Sequence, residues 1–139
     1  MFAMDNLKCI VHLEDSCKSE RVWLTVHTNY GPLLVSGWYR RPARGEVESI
    51  ESLAIEHSRL SADAIGTLIM GDMNVHEKGW LKFSNGSSPE GKALHTVCLE
   101  KGWKECVRNP TRKFWHENDQ EWREYLLDLV LTDIPNSVV

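Results

Sequence analysis

The sequence predicts a mixed α/β fold with helices packed on a sheet. Two alternating apolar segments, 20–28 and 33–39, flank the turn cluster Asn29-Tyr30-Gly31-Pro32, which marks a hairpin. Gly66-Thr67-Leu68-Ile69-Met70-Gly71 is a short run with almost no polar position, the pattern of a central strand buried on both faces. Two stretches with helical spacing lie on either side of it.

Taken in order, residues 8–13 form a first short β-like run. Glu20–Thr28 alternates, with Val22, Leu24 and Val26 on one face and Trp23, Thr25 and His27 on the other. After Pro42 the period changes. Val47, Ile50, Ala54 and His57, with Leu53 and Leu60 beside them, predict a helix over 47–61, and Glu46 and Glu48 suit its amino end. Residues 72–88 are polar and Gly-rich, hence a loop. Ser88-Pro89-Glu90 then starts a second helix: a capping hydroxyl, Pro at the first position and an acid in the first turn. Ala93, Leu94, Val97 and Cys98 form its apolar stripe, and Gly102 ends it. Residues 103–107 predict a short strand, 108–124 a loop, and 125–132 a last strand. The predicted order is β-β-β-α-β-α-β-β, with Trp23, Trp38 and 68–70 in or beside the core.

The chain has 139 residues, 42% of them hydrophobic and 26% charged, which suits one globular domain over 1–139. Six Trp supply material for a core and argue against disorder. No apolar stretch reaches the roughly 18–20 residues that cross a bilayer, and Met1–Asp5 has no basic start. The expectation is therefore an intracellular protein of nucleus or cytoplasm, neither secreted nor membrane-bound. The net charge is −4, with seven basic and nine acidic residues in 1–70 and nine and eleven in 71–139. Bulk positive charge cannot be what carries any contact with nucleic acid. Cys9, Cys17, Cys98 and Cys106 form no CxxC pair and read as reduced thiols. His95, Cys98, Cys106 and His116 are zinc-ligand types, but zinc-finger spacing is absent.

Four places carry chemistry. In Met70-Gly71-Asp72-Met73-Asn74-Val75-His76 an apolar strand ends and two polar side chains follow, one residue apart. A carboxylate there can take a proton or bind a hard cation, and the carboxamide can orient a water or phosphate oxygen. The same residues also suit a simple Asx turn. In Trp38-Tyr39-Arg40-Arg41-Pro42 an aromatic hydroxyl and two guanidiniums end a strand, a phosphate-binding set or merely a solvated strand end. Asp128 interrupts the apolar run Leu126–Leu131, so a buried carboxylate in need of a partner is expected. Asn109-Pro110-Thr111-Arg112 reads as a turn with an exposed Arg, and Asp133 as a strand-end residue.

These pieces, in this order, resemble the endonuclease/exonuclease/phosphatase family, and more specifically the endonuclease domain of non-LTR retrotransposons. The resemblance rests on Tyr39–Pro42, on Gly71–Asn74 with His76 and Trp80, on Pro89–Gly91, Pro110–Arg112 and 127–133, and it covers about residues 20–135. It implies an α/β four-layer α/β/β/α sandwich, here partial, and hydrolysis of DNA phosphodiesters with Mg²⁺ or Mn²⁺. It implies that Asp72 positions or deprotonates water, Asn74 holds water and phosphate, Tyr39 contacts the phosphate or leaving group, and Asp128 orients a catalytic His. Arg40, His76 and Arg112 would contact phosphate or DNA. The implied partners are DNA and, in a parent element, a reverse transcriptase.

The family's early Asn and Glu and its terminal Ser-Asp-His have no counterpart here, so its main metal ligands lie outside the chain. The expectation is an incomplete domain, truncated at both ends, with impaired cleavage and some apolar surface exposed. The alternatives are a non-catalytic remnant, or a branch acting on phosphoesters of lipids or RNA.

Overall fold

The computed structural model describes residues 7–12 and 20–137. Leu13, expected to end the first strand, and Cys17, expected as a reduced thiol, lie outside the described residues. The strands are β1 (Lys8–His12), β2 (Glu20–Thr28), β3 (Gly31–Tyr39), β4 (Gly66–Asp72), β5 (Lys104–Glu105), β6 (Arg112–His116), β7 (Glu121–Tyr125) and β8 (Asp128–Thr132). The helices are α1 (Glu48–Leu60) and α2 (Pro89–Lys101), and a 3-10 turn covers Pro135–Ser137. Six strands form one sheet in the order β1-β2-β3-β4-β8-β5, and β6 and β7 form a separate hairpin. β3 and β4 run parallel with α1 as their crossover, while the other pairs are antiparallel.

The helices start and stop for the reasons their sequences give. Ser88 Oγ accepts from Gly91 N, Pro89 takes the first helical turn, and Gly102 closes α2 in the left-handed conformation. At α1 the Val47 side chain caps nothing. Glu46 does so instead, its Oε1 accepting from Ser49 N at 2.7 Å. Two expectations need correcting. Residues 108–124 are not a loop throughout, because β6 and β7 pair from Arg112↔Tyr125 to His116↔Glu121. The strand expected over 125–132 is likewise divided: Tyr125 ends β7, and β8 begins only at Asp128.

Both helices cover one face of the sheet. A single core joins Ile50 and Leu53 of α1, Leu94, Val97 and Cys98 of α2, and the strand residues Trp23, Leu34, Trp38, Ile69, Leu129 and Leu131. Trp23 is fully buried, as its place on the alternating strand predicts. An ion pair is built into this layer. Arg21 Nε and Nη2 donate to the two oxygens of Glu56 at 2.7 and 2.9 Å, and Trp23 Nε1 donates to Glu56 Oε2 at 2.6 Å. Each charge is thus satisfied inside the protein, where one left alone would cost several kcal/mol, about 3–5.

His57 is a titratable group that this layer perturbs strongly. Its Nε2 lies 2.9 Å from Thr67 Oγ1 and its ring meets Trp103 edge-on, at 4.8 Å between centroids. Burial, helped by the charge of Lys101 and opposed by Asp133, pulls the imidazole from 6.5 down to about 4. The unfolded chain therefore binds more protons than the folded one between those two values. Stability from the neutral ring is complete above about 6.5 and is lost as pH falls toward 4. Urea unfolding at pH 7, 5.5 and 4 checks this. About 1–2 kcal/mol of the acid loss should disappear in His57→Gln.

The other face has no helix. Register puts Val11, Val22, Leu24, Val26, Leu33, Val35, Leu68, Met70 and Val130 together on it, all intermediate or exposed; Val11 is 55% and Val22 43% accessible. β4 is central but covered on one face only, which corrects the expectation of burial on both. Among the described residues the protein thus holds a helical layer, one six-stranded sheet layer and the hairpin. A contiguous apolar face of this kind binds hydrophobic dyes. Anilinonaphthalenesulfonate fluorescence should rise on mixing with the folded chain. It should drop severalfold for the double variant Val22→Thr, Val35→Thr, with the near-ultraviolet circular dichroism of the buried tryptophans kept.

Candidate active site

The carboxyl ends of β3 and β4 and the start of β8 meet at one end of the sheet. Asp72, last in β4, stands directly opposite Asp128, first in β8. The parallel register Gly37↔Met70 brings Tyr39 level with Asp72 on the neighbouring strand. By alternation all three lie on the face without helices. Three segments that the sequence separates by up to about 90 residues therefore converge at one end of the sheet.

Gly71 makes the convergence possible. Its φ is 147°, and a Cβ there would stand 1.9 Å from Trp38 O. The strands come close enough for Arg40 N to donate to Asp72 O at 2.8 Å, and Met73 N to Leu127 O at 2.9 Å. Asn74 follows with φ 46°, a left-handed conformation that Asn tolerates better than most residues. Asn74 N donates to Asp72 Oδ1 at 3.2 Å, and Asn74 Nδ2 to Arg40 O at 2.8 Å. The Asx turn and the paired polar side chains are therefore one and the same arrangement.

Asp128 differs from expectation. It is exposed, and Asp72 is the more enclosed of the two. The reason is the shorter strand: Asp128 opens β8 at the sheet's end rather than interrupting its interior. Thr111 fixes that end, its Oγ1 accepting from Leu127 N and Asp128 N, each at 3.1 Å. Neighbouring Arg112 is thereby held near Asp72. Burial first, then the negative charge of Asp128, raise the Asp72 carboxyl above its ordinary value, against the hydrogen bond from Asn74 N and the charge of Arg112.

The remaining candidates divide. His76 is half-buried, its ring edge-on to Tyr125 at 5.4 Å. Both line a cleft of about 530 Å³ that begins at Asn74 and is also bordered by Arg44, Asn85 and Ser87. No sequence pattern marked Arg44, Asn85, Ser87 or Tyr125. Arg40 is not in the cleft. It is 2% exposed and its guanidinium is turned inward. Asp133 lies at the opposite end of the sheet, where it accepts from Thr67 N. Thr111 and Glu46 stand in the sequence only as a turn residue and a helix-end residue; their bonding roles are identifiable only once their partners are in place.

Among the described residues no three His, Cys, Asp or Glu side chains come together closely enough to hold a metal ion. Asp72 and Asp128, facing across β4 and β8, offer carboxylate oxygens but not a complete set, since Mg²⁺ prefers ordered octahedral oxygen ligation. The zinc types His95, Cys98, Cys106 and His116 form no such group either, although the first three border one cavity. Cys9, Cys98 and Cys106 are free thiols.

A carboxylate raised in the folded state disfavours folding where it is ionised and ceases to do so once protonated. Asp72→Asn should therefore raise the melting temperature slightly at pH 7, by about 1 °C because the group is partly solvated. The gain should vanish as pH falls through the Asp72 titration. Differential scanning calorimetry at pH 7 and pH 4 checks the sign.

No protein-family model matches the sequence, and no curated protein matches it. Solved structures do. The chain is similar to the endonuclease domain of TRAS1, a telomere-specific non-LTR retrotransposon, with a TM-score of 0.64 and 16% identity over 92% of this chain and 56% of that one. It is similar to beta toxin from Staphylococcus aureus, with a TM-score of 0.50 and 14% identity over 83% and 43%. An endonuclease/exonuclease/phosphatase family protein from Leptotrichia buccalis C-1013-b overlaps at 0.49, with 13% identity over 81% and 40%. This chain thus spans about half the length of the structures it matches. At such identities the likeness is one of fold: this chain shares the α/β fold of the retrotransposon endonuclease domain over most of its length.

Proposed function

We propose that this chain carries one wall of a phosphodiester-hydrolysing centre that acts on DNA. The observation behind the reading is the alignment of Tyr39, Asp72 and Asp128 at one end of the sheet, in a fold shared with a retrotransposon endonuclease domain. In this reading Asp72 accepts a proton from the attacking water. Its raised affinity for protons favours that role. Asn74 has committed its Nδ2 to Arg40 O, so its Oδ1 is what remains to orient the water. The Tyr39 hydroxyl, on a side chain 43% exposed, donates to a phosphate oxygen, and Arg112 supplies positive charge beside it. A divalent ion of the Mg²⁺ or Mn²⁺ kind would stabilise charge developing on the phosphate, but these residues alone do not complete its site, and no step above runs through it.

The β6–β7 hairpin provides a second contact in the same reading. Trp115 and Trp122 are 46% and 60% exposed and meet edge-on at 5.6 Å, with Lys113 Nζ 5.7 Å from the Trp122 ring centroid. Exposed aromatics beside cations suit stacking on bases or sugars, which a chain of net charge −4 needs if it is to hold DNA.

Two measurements test the reading. Fluorescence anisotropy with a labelled duplex at low salt should show weak binding that Trp122→Ala and Arg112→Ala each reduce several-fold and that added salt abolishes. Plasmid nicking with Mg²⁺ should be slight for these 139 residues, because the ligand set is short. Robust nicking lost in Asp72→Ala would show that another residue at this end of the sheet, such as Glu77 or His76, completes the set. Absence of both binding and nicking would overturn the reading in favour of a non-catalytic remnant.

A further inference from the structure

Arg40 sits between the two polar residues of the site and is hidden from solvent. Five acceptors surround its guanidinium. Nε donates to Ser49 Oγ at 3.1 Å and Nη1 to Asn74 O at 3.4 Å. Nη2 donates to Ala43 O at 3.2 Å, Glu46 O at 2.5 Å and Glu46 Oε2 at 3.1 Å. Its backbone is equally committed: Arg40 N donates to Asp72 O, and Arg40 O accepts from Asn74 Nδ2, each at 2.8 Å. Arg40 therefore touches Asp72 once and Asn74 twice, and Asn74 is the residue with the unusual backbone, φ 46°.

Such a conformation costs free energy in a residue with a Cβ and persists where its surroundings over-determine it. Two bonds do so here, one from the Arg40 side chain to the Asn74 carbonyl, the other from the Asn74 amide to the Arg40 carbonyl. They form a closed ring between two residues 34 positions apart. The rest of the guanidinium ties the ring to the amino end of α1, through Glu46 and Ser49. A lysine could not do this, since a single ammonium cannot reach acceptors arranged around a planar fork.

We propose that Arg40 is a positioning residue. From inside the protein it holds Asn74 in the left-handed conformation and thereby sets the Asp72–Asn74 pair, with the Asn74 oxygen directed to the cleft. The proposal rests on the hydrolytic reading for what the pair is for, but not for the geometry, which can be read without any activity.

The test is nuclear magnetic resonance on the full 139-residue chain labelled with ¹³C and ¹⁵N. Arg40→Ala and Arg40→Lys should both abolish the three-bond coupling and Cα shift of a left-handed Asn74. Exchange of the Asn74 side-chain amide should rise about tenfold. The indole N–H of Trp23, bonded to Glu56, should stay in place and report an intact core. Ethylguanidinium should restore the Asn74 signals to Arg40→Ala, and ethylammonium should not. That rescue separates a specific fork from general loosening. An unchanged Asn74 in either folded variant overturns the proposal. Should Arg40→Ala lose the Trp23 signal, Arg40→Lys, which keeps the charge and the stem, decides by the same readouts. Loss of DNA binding in the unsubstituted chain would defeat the hydrolytic reading and leave these readouts, and the clamp, untouched.

Discussion

The site exists because two pieces of backbone touch where a side chain would forbid it. At Gly71 the nearest atom of β3 leaves no room for a Cβ, and at Gly91 a Cβ would stand 2.0 Å from His76 O. The first contact closes β4 onto β3. The second closes the first turn of α2 onto the loop after β4, where Ser88 N also donates to His76 O at 2.8 Å. The segment from Asp72 to Ser88 is thus pinned at both ends by backbone. Any side chain at residue 71 would have to part the strands, and with them the bonds from Arg40 N to Asp72 O and from Met73 N to Leu127 O. The alignment of Tyr39, Asp72 and Asp128 follows from that one close approach.

Three arginines show how burial decides what a charge does. Arg21 and Arg40 lie inside, each saturated by acceptors, and Arg41 lies outside with Glu20 Oε1 at 2.9 Å. Sequence presents Arg40 and Arg41 as a matched pair at a strand end. Strand alternation sends them to opposite sides, and only one side has a helix to fold against. The inward guanidinium becomes structural because α1 brings Glu46 and Ser49 to it. The outward one forms a solvated pair of the sort that contributes little. In the proposed reading a guanidinium contact with phosphate therefore falls to Arg112 or to Arg44 of the cleft, not to Arg40.

Much of the fold was legible because several signals agreed along the chain. The alternation of β2 and β3, the apolar run of β4 and the Ser88-Pro89 and Gly102 ends of α2 each have a local cause. The β6–β7 hairpin went unread because its alternation serves no core. Phe114 stacks on Tyr125 at 5.3 Å and Trp115 meets Trp122, yet Phe114, Trp115 and Trp122 remain in water, interleaved with charges that look like loop. Gln120, at φ 50°, turns the hairpin without the glycine that usually announces such a turn. The site was half legible. Asp72, Asn74, Tyr39 and Asp128 could be placed by motif, but the depth of Asp128 depended on where β8 begins. The roles of Arg40, Glu46 and Thr111 depend on partners that no spacing rule connects.

The acid pair and the uncovered apolar residues occupy the same face of the sheet, and this couples reactivity to packing. On an open face the Asp72 carboxylate is only partly desolvated, and water screens its interaction with Asp128 and with any phosphate. Charge–charge energy near a protein surface, at 4 Å, is about 4 kcal/mol, and it grows as water is excluded. A polypeptide layer over Leu24, Val35, Leu68 and Met70 would remove their surface from water and also wall the cleft beside Asp72. Desolvation would then raise the carboxyl further and strengthen the charged and hydrogen-bonding interactions at this end of the sheet. Stability and chemistry would be gained in one step, since the same β4 that presents Leu68 and Met70 on the open face ends in Asp72 on that face.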